Sequence, residues 1–350
     1  MEFWSKTSAA PSLWMASGLS SLAPRFLRTE TPTKPPQIWK EYSIVRLRGD
    51  DTARVNLFWT QHYRGDDWRF VQNNADSYTN DSRVILLGLV CKDTVVATIV
   101  STPFCRGKTF MSHGAHVDAR VIEGLCVHSD LRGTGVAGFM IHNIDYHTTI
   151  IYGPTVLFWS RELNRKPLFT TAIQTATYGY ISCTATVGNT EYSRMDWSEF
   201  HTLWISNSPD WVSSCAPCIV ATTPENRRGN ISVFKRSSGL PCEIVVVANT
   251  GRVTIEGAQA IYEILWCGFL DFGKLVPFKT GHSFHKACTA IAGLLGTGLL
   301  FGSSVPSGGA IDASWTGWRF NTSGVHSWFI YNYIPPVFGS CALYAVRDEL

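Results

Sequence analysis

The chain has 350 residues, of which 45% are hydrophobic and 16% charged, with a formal net charge of +3. That apolar content excludes wholesale disorder and supports a sizeable core in one large domain or two ordinary ones. The weak positive charge, without a Lys/Arg block, argues against a nucleic-acid partner, and the low charged fraction points to a neutral, apolar functional cleft. The first 37 residues, with "SSLAPRFLRTETPTKPPQ", read as an arm lying over the body rather than as a packed element.

The chain turns globular at Ile38. "VNLFWTQHY" reads as helical, and "RVILLGLVCKDTVVATIVSTPF" as two strands joined at Lys92–Asp93, because β-branched residues dominate and polar residues punctuate. "RVIEGLCVH" (Arg120–His128) is a further strand. In "GVAGFMIHNIDYHTTI" the apolar Val136, Phe139, Met140 and Ile144 recur at helical spacing. "CEIVVVANTGRVTIEGAQAIYEI" reads as a strand pair turning at Asn249-Thr250-Gly251. A helix is expected near Phe284–Leu295, followed by strands in "GLLFGSSV" and "HSWFIYNYI". Hairpin, helix and strand thus occur twice, which predicts an α+β protein with mixed sheets, built from two related modules.

The uncharged stretch Ala287–Ile311 is apolar only to about Gly302, short of the roughly 20 residues a membrane span needs, so a buried helix and strand are expected. The Cys count is 10, with no regular framework, and "MEFWSKTSAAPSLW" has no charged segment leading into an apolar one. Reduced thiols are therefore expected, the "CAPC" pair (Cys215, Cys218) is read as structural, and no metal site is expected. The closing Arg347–Leu350, "RDEL", has the form of a retrieval tag, which needs prior entry to the secretory pathway.

The segment richest in chemistry is "VIEGLCVHSDLRGTGVAGFMI". A strand ends at His128, and Arg132-Gly133-Thr134-Gly135-Val136-Ala137 opens a helix. Amides at a helix N-terminus suit a pyrophosphate, glycines let the backbone approach, and Arg132 adds a charged donor.

This pattern resembles the acyl-CoA motif of the GCN5-related N-acetyltransferase superfamily. More narrowly, Leu125-Cys126-Val127-His128 with Leu131-Arg132 is similar to the N-myristoyltransferase signature. Other segments follow in the family's order: "FWSKTSAAPSL" (Phe3–Leu13), Trp39 in "TPTKPPQIWKEYSI", "HYRGDDWRF", Lys166-Pro167 and the closing "FIYNYIPPVFG". The resemblance implies two acetyltransferase-like halves about a pseudo-twofold, here 38–200 for acyl-CoA and 201–350 for the peptide groove and C-terminal carboxylate. It implies transfer of myristoyl from myristoyl-CoA, a substrate rather than a cofactor, to the α-amine of an N-terminal glycine by a monomeric cytoplasmic enzyme.

By the same resemblance, the amides of Gly124 and Leu125 form the oxyanion hole. Cys126, Val127, His128, Arg132 and the amides of Gly133, Thr134, Gly135, Val136 and Ala137 hold CoA, with Trp4 covering it. Ser160 and Tyr178 meet the peptide, and the carboxylate of Leu350 is the base. A free α-carboxyl titrates near about 3.3–3.7, so burial in an apolar groove has to raise it toward the amine. Several family features are missing. Gly124 stands for a Phe, Ser129-Asp130 and Thr134-Gly135 stand where basic pairs flank the loop, "TYGYIS" (Thr177–Ser182) lacks the peptide-reading His, and "LFGSSV" lacks an acid. Two other readings stay open, a general acetyltransferase with a short acyl donor and a catalytically weak acyl-CoA or peptide binder.

Overall fold

One strand–strand–strand–helix–strand pattern occurs twice along the chain. The computed structural model describes residues 25–26, 41–63, 68–70, 75–103, 110–112, 115–117, 119–162, 172–181, 191–204, 206, 218–221, 231–239, 241–255, 259–277, 282–296, 298–301, 318–331, 333–334 and 343–344. After β1 (Ser43–Arg46), α1 (Thr52–His62) and the short α2 (Ala75–Thr79), the first copy is β2 (Ile85–Cys91), β3 (Thr94–Pro103), β4 (Ala119–Val127), α3 (Val136–Tyr152) and β5 (Val156–Glu162). β6 (Ala172–Ile181), β7 (Tyr192–Met195) and α4 (residues 197–204) lead to the second copy. That copy is β8 (Ile231–Arg236), β9 (Cys242–Thr254), β10 (Ala260–Asp271) with its hairpin partner β11 (Lys274–Pro277), α5 (His282–Leu295) and β12 (Gly298–Phe301). β13 (Trp318–Tyr331) follows.

In each copy the first three strands are antiparallel neighbours and the helix returns the chain to a strand parallel to the third. β5 lies parallel to β4, Ala119 opposite Val156 through Ile122 opposite Trp159, and β12 lies parallel to β10, Ile261 opposite Gly298 through Glu263 opposite Leu300. The strand after each copy pairs with the other copy: β6 with β12, and β13 with β5. β6 and β13 pair with each other at the centre. The resulting order, β7-β8-β9-β10-β12-β6-β13-β5-β4-β3-β2-β1, maps its ten central strands onto themselves when the copies are exchanged. Two halves are thus joined through one 14-stranded sheet, which Trp68–Phe70 enters beside β9.

Helices cover both faces of each half. In β2, Ile85, Leu87 and Leu89 meet Val136, Met140 and Ile144 of α3, whereas Leu86 and Val90 meet Val55, Phe58 and Trp59 of α1. That two-sided burial explains why "ILLGLV" is continuously apolar instead of alternating. The second half repeats the scheme. Val245 and Val247 pack on Ala287 and Ile291 of α5, and Ile244 and Val246 on Phe200 and Trp204 of α4.

The expected turn at Asn249-Thr250-Gly251 is instead a bulge inside β9, since Asn249 pairs with Tyr262 and Arg252 with Ile261. Asn249 Oδ1 accepts from the Gly251 N–H (2.9 Å), and the Thr250 hydroxyl donates to the Ile261 carbonyl (2.7 Å), so the ladder closes across it. The chain reverses later, between Thr254 and Gln259, whose N–H and C=O groups include a 2.9 Å bond from Thr254 N–H to Gln259 O. No helix among the described residues is long and apolar enough to cross a membrane. Of the apolar stretch expected to form a helix and strand, residues 287–295 lie in α5 and 298–301 form β12, and 302–311 lie outside the described residues. Arg25–Phe26 pairs antiparallel with Tyr333–Ile334.

Candidate active site

The parallel pairing of β4 with β5 stops at Ile122 and Trp159. Beyond that point β4 continues against β3 alone, and residues 160–162 of β5 pair with β13. The two strands therefore part at Glu123–Gly124, and the parting coincides with a bulge. Thr98 pairs with Cys126 and Val100 with Glu123, so Gly124 and Leu125 together oppose Ile99. The second half has a counterpart without a glycine, Leu265 being one extra residue between the Ile264 and Trp266 pairings.

Gly124 has φ +59, a left-handed conformation that side-chain-bearing residues pay about 1–2 kcal/mol to adopt. A Cβ there would lie 2.7 Å from Val100 Cγ2 and 3.7 Å from Trp59 Cζ2. The space that a larger residue at this position would take is thus filled by Val100 and Trp59, and glycine is the residue the bulge requires. On the carbonyl side, Trp59 Nε1 donates to Thr98 Oγ1 (2.8 Å), and Thr98 Oγ1 lies 3.0 Å from the Gly124 carbonyl.

At the end of β4, His128 N–H bonds to the Val96 carbonyl (2.9 Å), and His128 Nδ1 accepts from the Asp130 N–H (3.3 Å), capping the 3-10 turn Ser129–Leu131. The His128 ring lies 4.2 Å from that of His62. Arg132 closes the loop from the other side. Its Nε donates to the Val127 carbonyl (3.1 Å) and its Nη2 to the His62 carbonyl at the end of α1 (3.0 Å). Thr134 turns both its N–H (3.4 Å) and its hydroxyl (2.7 Å) back to the Leu131 carbonyl. Gly135, at φ +94, is the N-cap of α3, and Phe139 N–H to Gly135 O (3.1 Å) closes the first helical turn. The amides of Val136, Ala137 and Gly138 precede that bond, so the helix leaves them free to face an anion. Gly138 belongs in this set, one residue beyond the sequence motif; the cap position identifies it.

Cys126 is buried, and burial pushes its thiol up to about 12, against the opposing pull of the Arg132 charge. At neutral pH it is a thiol and a poor nucleophile. The only acid in the loop, Asp130, is 83% exposed. Gly124, Leu125, Cys126, Val127, His128, Arg132, Gly133, Thr134, Gly135, Val136 and Ala137 are thus gathered along one strand end and the loop after it. Ser160 lies on β5 opposite Trp328, just past the parting. Tyr178 lies on β6 at a register break, between Thr177 opposite Val325 and Gly179 opposite Phe320. Trp4, Trp39, Lys166, Pro167 and Leu350 lie outside the described residues, as do the side chains of Ser160 and Tyr178. Leu343–Tyr344 pairs in parallel with Val220–Ala221, in a small sheet that also holds Phe110–Ser112 and Ala115–Val117. No group of three or more His, Cys, Asp or Glu among the described residues is arranged to hold a metal ion.

No family model and no curated protein sequence matches the chain. Solved structures do. A Saccharomyces cerevisiae N-myristoyltransferase crystallised with bound myristoyl-CoA superposes with a TM-score of 0.70 at 11% identity, over 96% of this chain and 88% of that one. A second structure of the yeast enzyme with myristoyl-CoA gives 0.64 at 12% identity, over 95% and 92%. A third, with myristoyl-CoA and inhibitors, gives 0.64 at 11% identity, over 96% and 90%. The chain therefore has the fold of the N-myristoyltransferases, built as two similar halves, at a sequence identity of 11–12%.

Proposed function

We propose that the protein transfers a long fatty acyl group, myristoyl foremost, from acyl-CoA to the α-amine of an N-terminal glycine. The observation that carries this reading is the bulge at Gly124–Leu125, placed where β4 and β5 part and one short loop away from the free amides at the start of α3. Acyl-CoA would lie with its pyrophosphate on the amides of Gly133, Gly135, Val136, Ala137 and Gly138. Its thioester would lie in the gap between the strands. The neutral glycine amine attacks the thioester carbon, the C–N bond forms, and the carbonyl oxygen becomes an oxyanion received by the amides of Gly124 and Leu125. The C–S bond then breaks, CoA leaves as thiolate, and the amine's proton passes to a base and on to the thiolate. We assign the base to the α-carboxylate of Leu350, and the amine's neighbours to Ser160 and Tyr178.

Direct transfer is favoured over an acyl-cysteine intermediate because the only thiol in the motif, Cys126, is held protonated by burial. A second reading, acyl-CoA binding with little transfer, has its own observation: Arg132 gives two of its five N–H donors to carbonyls, and the exposed Asp130 carboxylate lies in the same loop, which weakens the hold on phosphate. One assay separates them. Purified protein is mixed with myristoyl-CoA and an octapeptide of the form Gly-x-x-x-Ser, and the peptide is weighed. A gain of one myristoyl group is expected. Tight myristoyl-CoA binding without any gain favours the binder, and a gain only from acetyl-CoA favours a general acetyltransferase.

A further inference from the structure

We infer that Trp59 and Thr98 form a buried relay that aims the Leu125 amide into the gap between β4 and β5, making Thr98 the positioning residue of the oxyanion hole; this rests on the function proposed above. An indole N–H only donates, so Thr98 Oγ1 accepts from Trp59 Nε1 (2.8 Å). The hydroxyl hydrogen of Thr98 is then committed to the other neighbour, the Gly124 carbonyl at 3.0 Å, which only accepts. The relay therefore has one polarity, indole to hydroxyl to carbonyl.

That carbonyl shares a planar trans peptide with the Leu125 N–H, so the two point in opposite directions. Holding Gly124 C=O toward Thr98 on β3 turns Leu125 N–H away from β3. The strand alternation agrees. His128 N–H bonds to Val96 and Cys126 lies opposite Thr98, which leaves Leu125 with its backbone groups turned from β3. On that other side β4 no longer pairs with β5. The relay is built as a rigid part of the core. Thr98 is 0% exposed and Trp59 3%, and Val100 and Trp59 fill the space beside Gly124. The Thr98 hydroxyl is the hydrogen bond that holds the carbonyl of this left-handed glycine, and Gly124 supplies no side chain to help fix the tilt of its peptide.

The test reads the site itself. Myristoyl-CoA labelled with ¹³C at the thioester carbonyl is bound to the protein, and the isotope-edited infrared carbonyl band is compared with that of free myristoyl-CoA. Wild type is expected to show a band moved to lower wavenumber by hydrogen bonding. Thr98→Val, close in shape and without the hydroxyl, is expected to lose most of that displacement, and Thr98→Ser to restore it. With peptide added, Thr98→Val is expected to lower kcat on the order of tenfold, part of what removing a whole donor costs, with KM for myristoyl-CoA unchanged. A displaced band in wild type that Thr98→Val leaves untouched overturns the relay and spares the site. Bound myristoyl-CoA with no displacement in wild type overturns the oxyanion hole and the relay together. If Thr98→Val does not fold, Trp59→Phe serves in its place, since it keeps an aromatic ring and removes the donor; a band unchanged from wild type there also overturns the relay.

Discussion

Replacing Gly124 by Ala probes the bulge from which the functional reading starts. Two costs follow from the structure. A residue with a Cβ at φ +59 costs about 1–2 kcal/mol relative to glycine. The new methyl, 2.7 Å from Val100 Cγ2, overpacks a buried position for a further ~1–3 kcal/mol. Together about 2–5 kcal/mol is lost, a large share of the roughly 5–15 kcal/mol that holds a typical protein folded. The two costs separate in a double-mutant cycle with Val100→Ala, which removes the clashing methyl but leaves the backbone strain. Urea unfolding of the four proteins is expected to give a double mutant less destabilised than the sum of the singles by about 1–3 kcal/mol. Additivity within about 0.5 kcal/mol refutes the close approach of Val100. A Gly124→Ala protein as stable as wild type refutes the left-handed bulge.

Three further outcomes follow from the site. Asp130→Lys places a cation beside the proposed pyrophosphate, and is expected to tighten CoA binding on the order of two- to fivefold at low salt, fading at high salt; calorimetry in a salt series checks this, and unchanged affinity places the phosphates elsewhere. Because burial raises the Cys126 thiol to about 12 while the unfolded thiol ionises near 9, its contribution to stability is complete below pH 9 and falls as pH rises toward 12. The alkaline loss of Tm is thus expected to be shallower in Cys126→Ala than in wild type, and parallel curves contradict the shift. Deleting Glu349 and Leu350 is expected to abolish turnover while sparing acyl-CoA binding, and unchanged turnover removes the terminal carboxylate as base.

Much of this architecture is legible locally. The β2–β3 turn at Lys92–Asp93, the helical spacing of Val136, Met140 and Ile144, and the repeated hairpin–helix–strand pattern are short-range signals, and the structure has each of them. The Gly-rich loop is equally local, and Gly135 does sit at the N-cap of α3. Asn249-Thr250-Gly251 misleads because the side chains that favour a turn also close a bulge, here through Asn249 to Gly251 and Thr250 to Ile261. The exchange of β6 and β13 between halves has no local signature. It pairs segments more than a hundred residues apart, Ala172 with Phe329 for example. No motif marks Trp59 or Thr98, and only their meeting across α1 and β3 connects them to Gly124. The sequence motif does not reveal that the Arg132 guanidinium also ties the loop to the Val127 and His62 carbonyls.

The central claim is acyl transfer from a CoA thioester to an N-terminal glycine. It is tested most directly by offering the protein equal amounts of myristoyl-CoA and acetyl-CoA with a Gly-x-x-x-Ser octapeptide, beside the same peptide already acetylated at its N-terminus, and following the masses over time. The account predicts a myristoylated free-amine peptide, little acetylated product and no change in the blocked peptide. A blocked peptide that gains myristoyl, or a free-amine peptide that gains nothing although myristoyl-CoA binds, contradicts it.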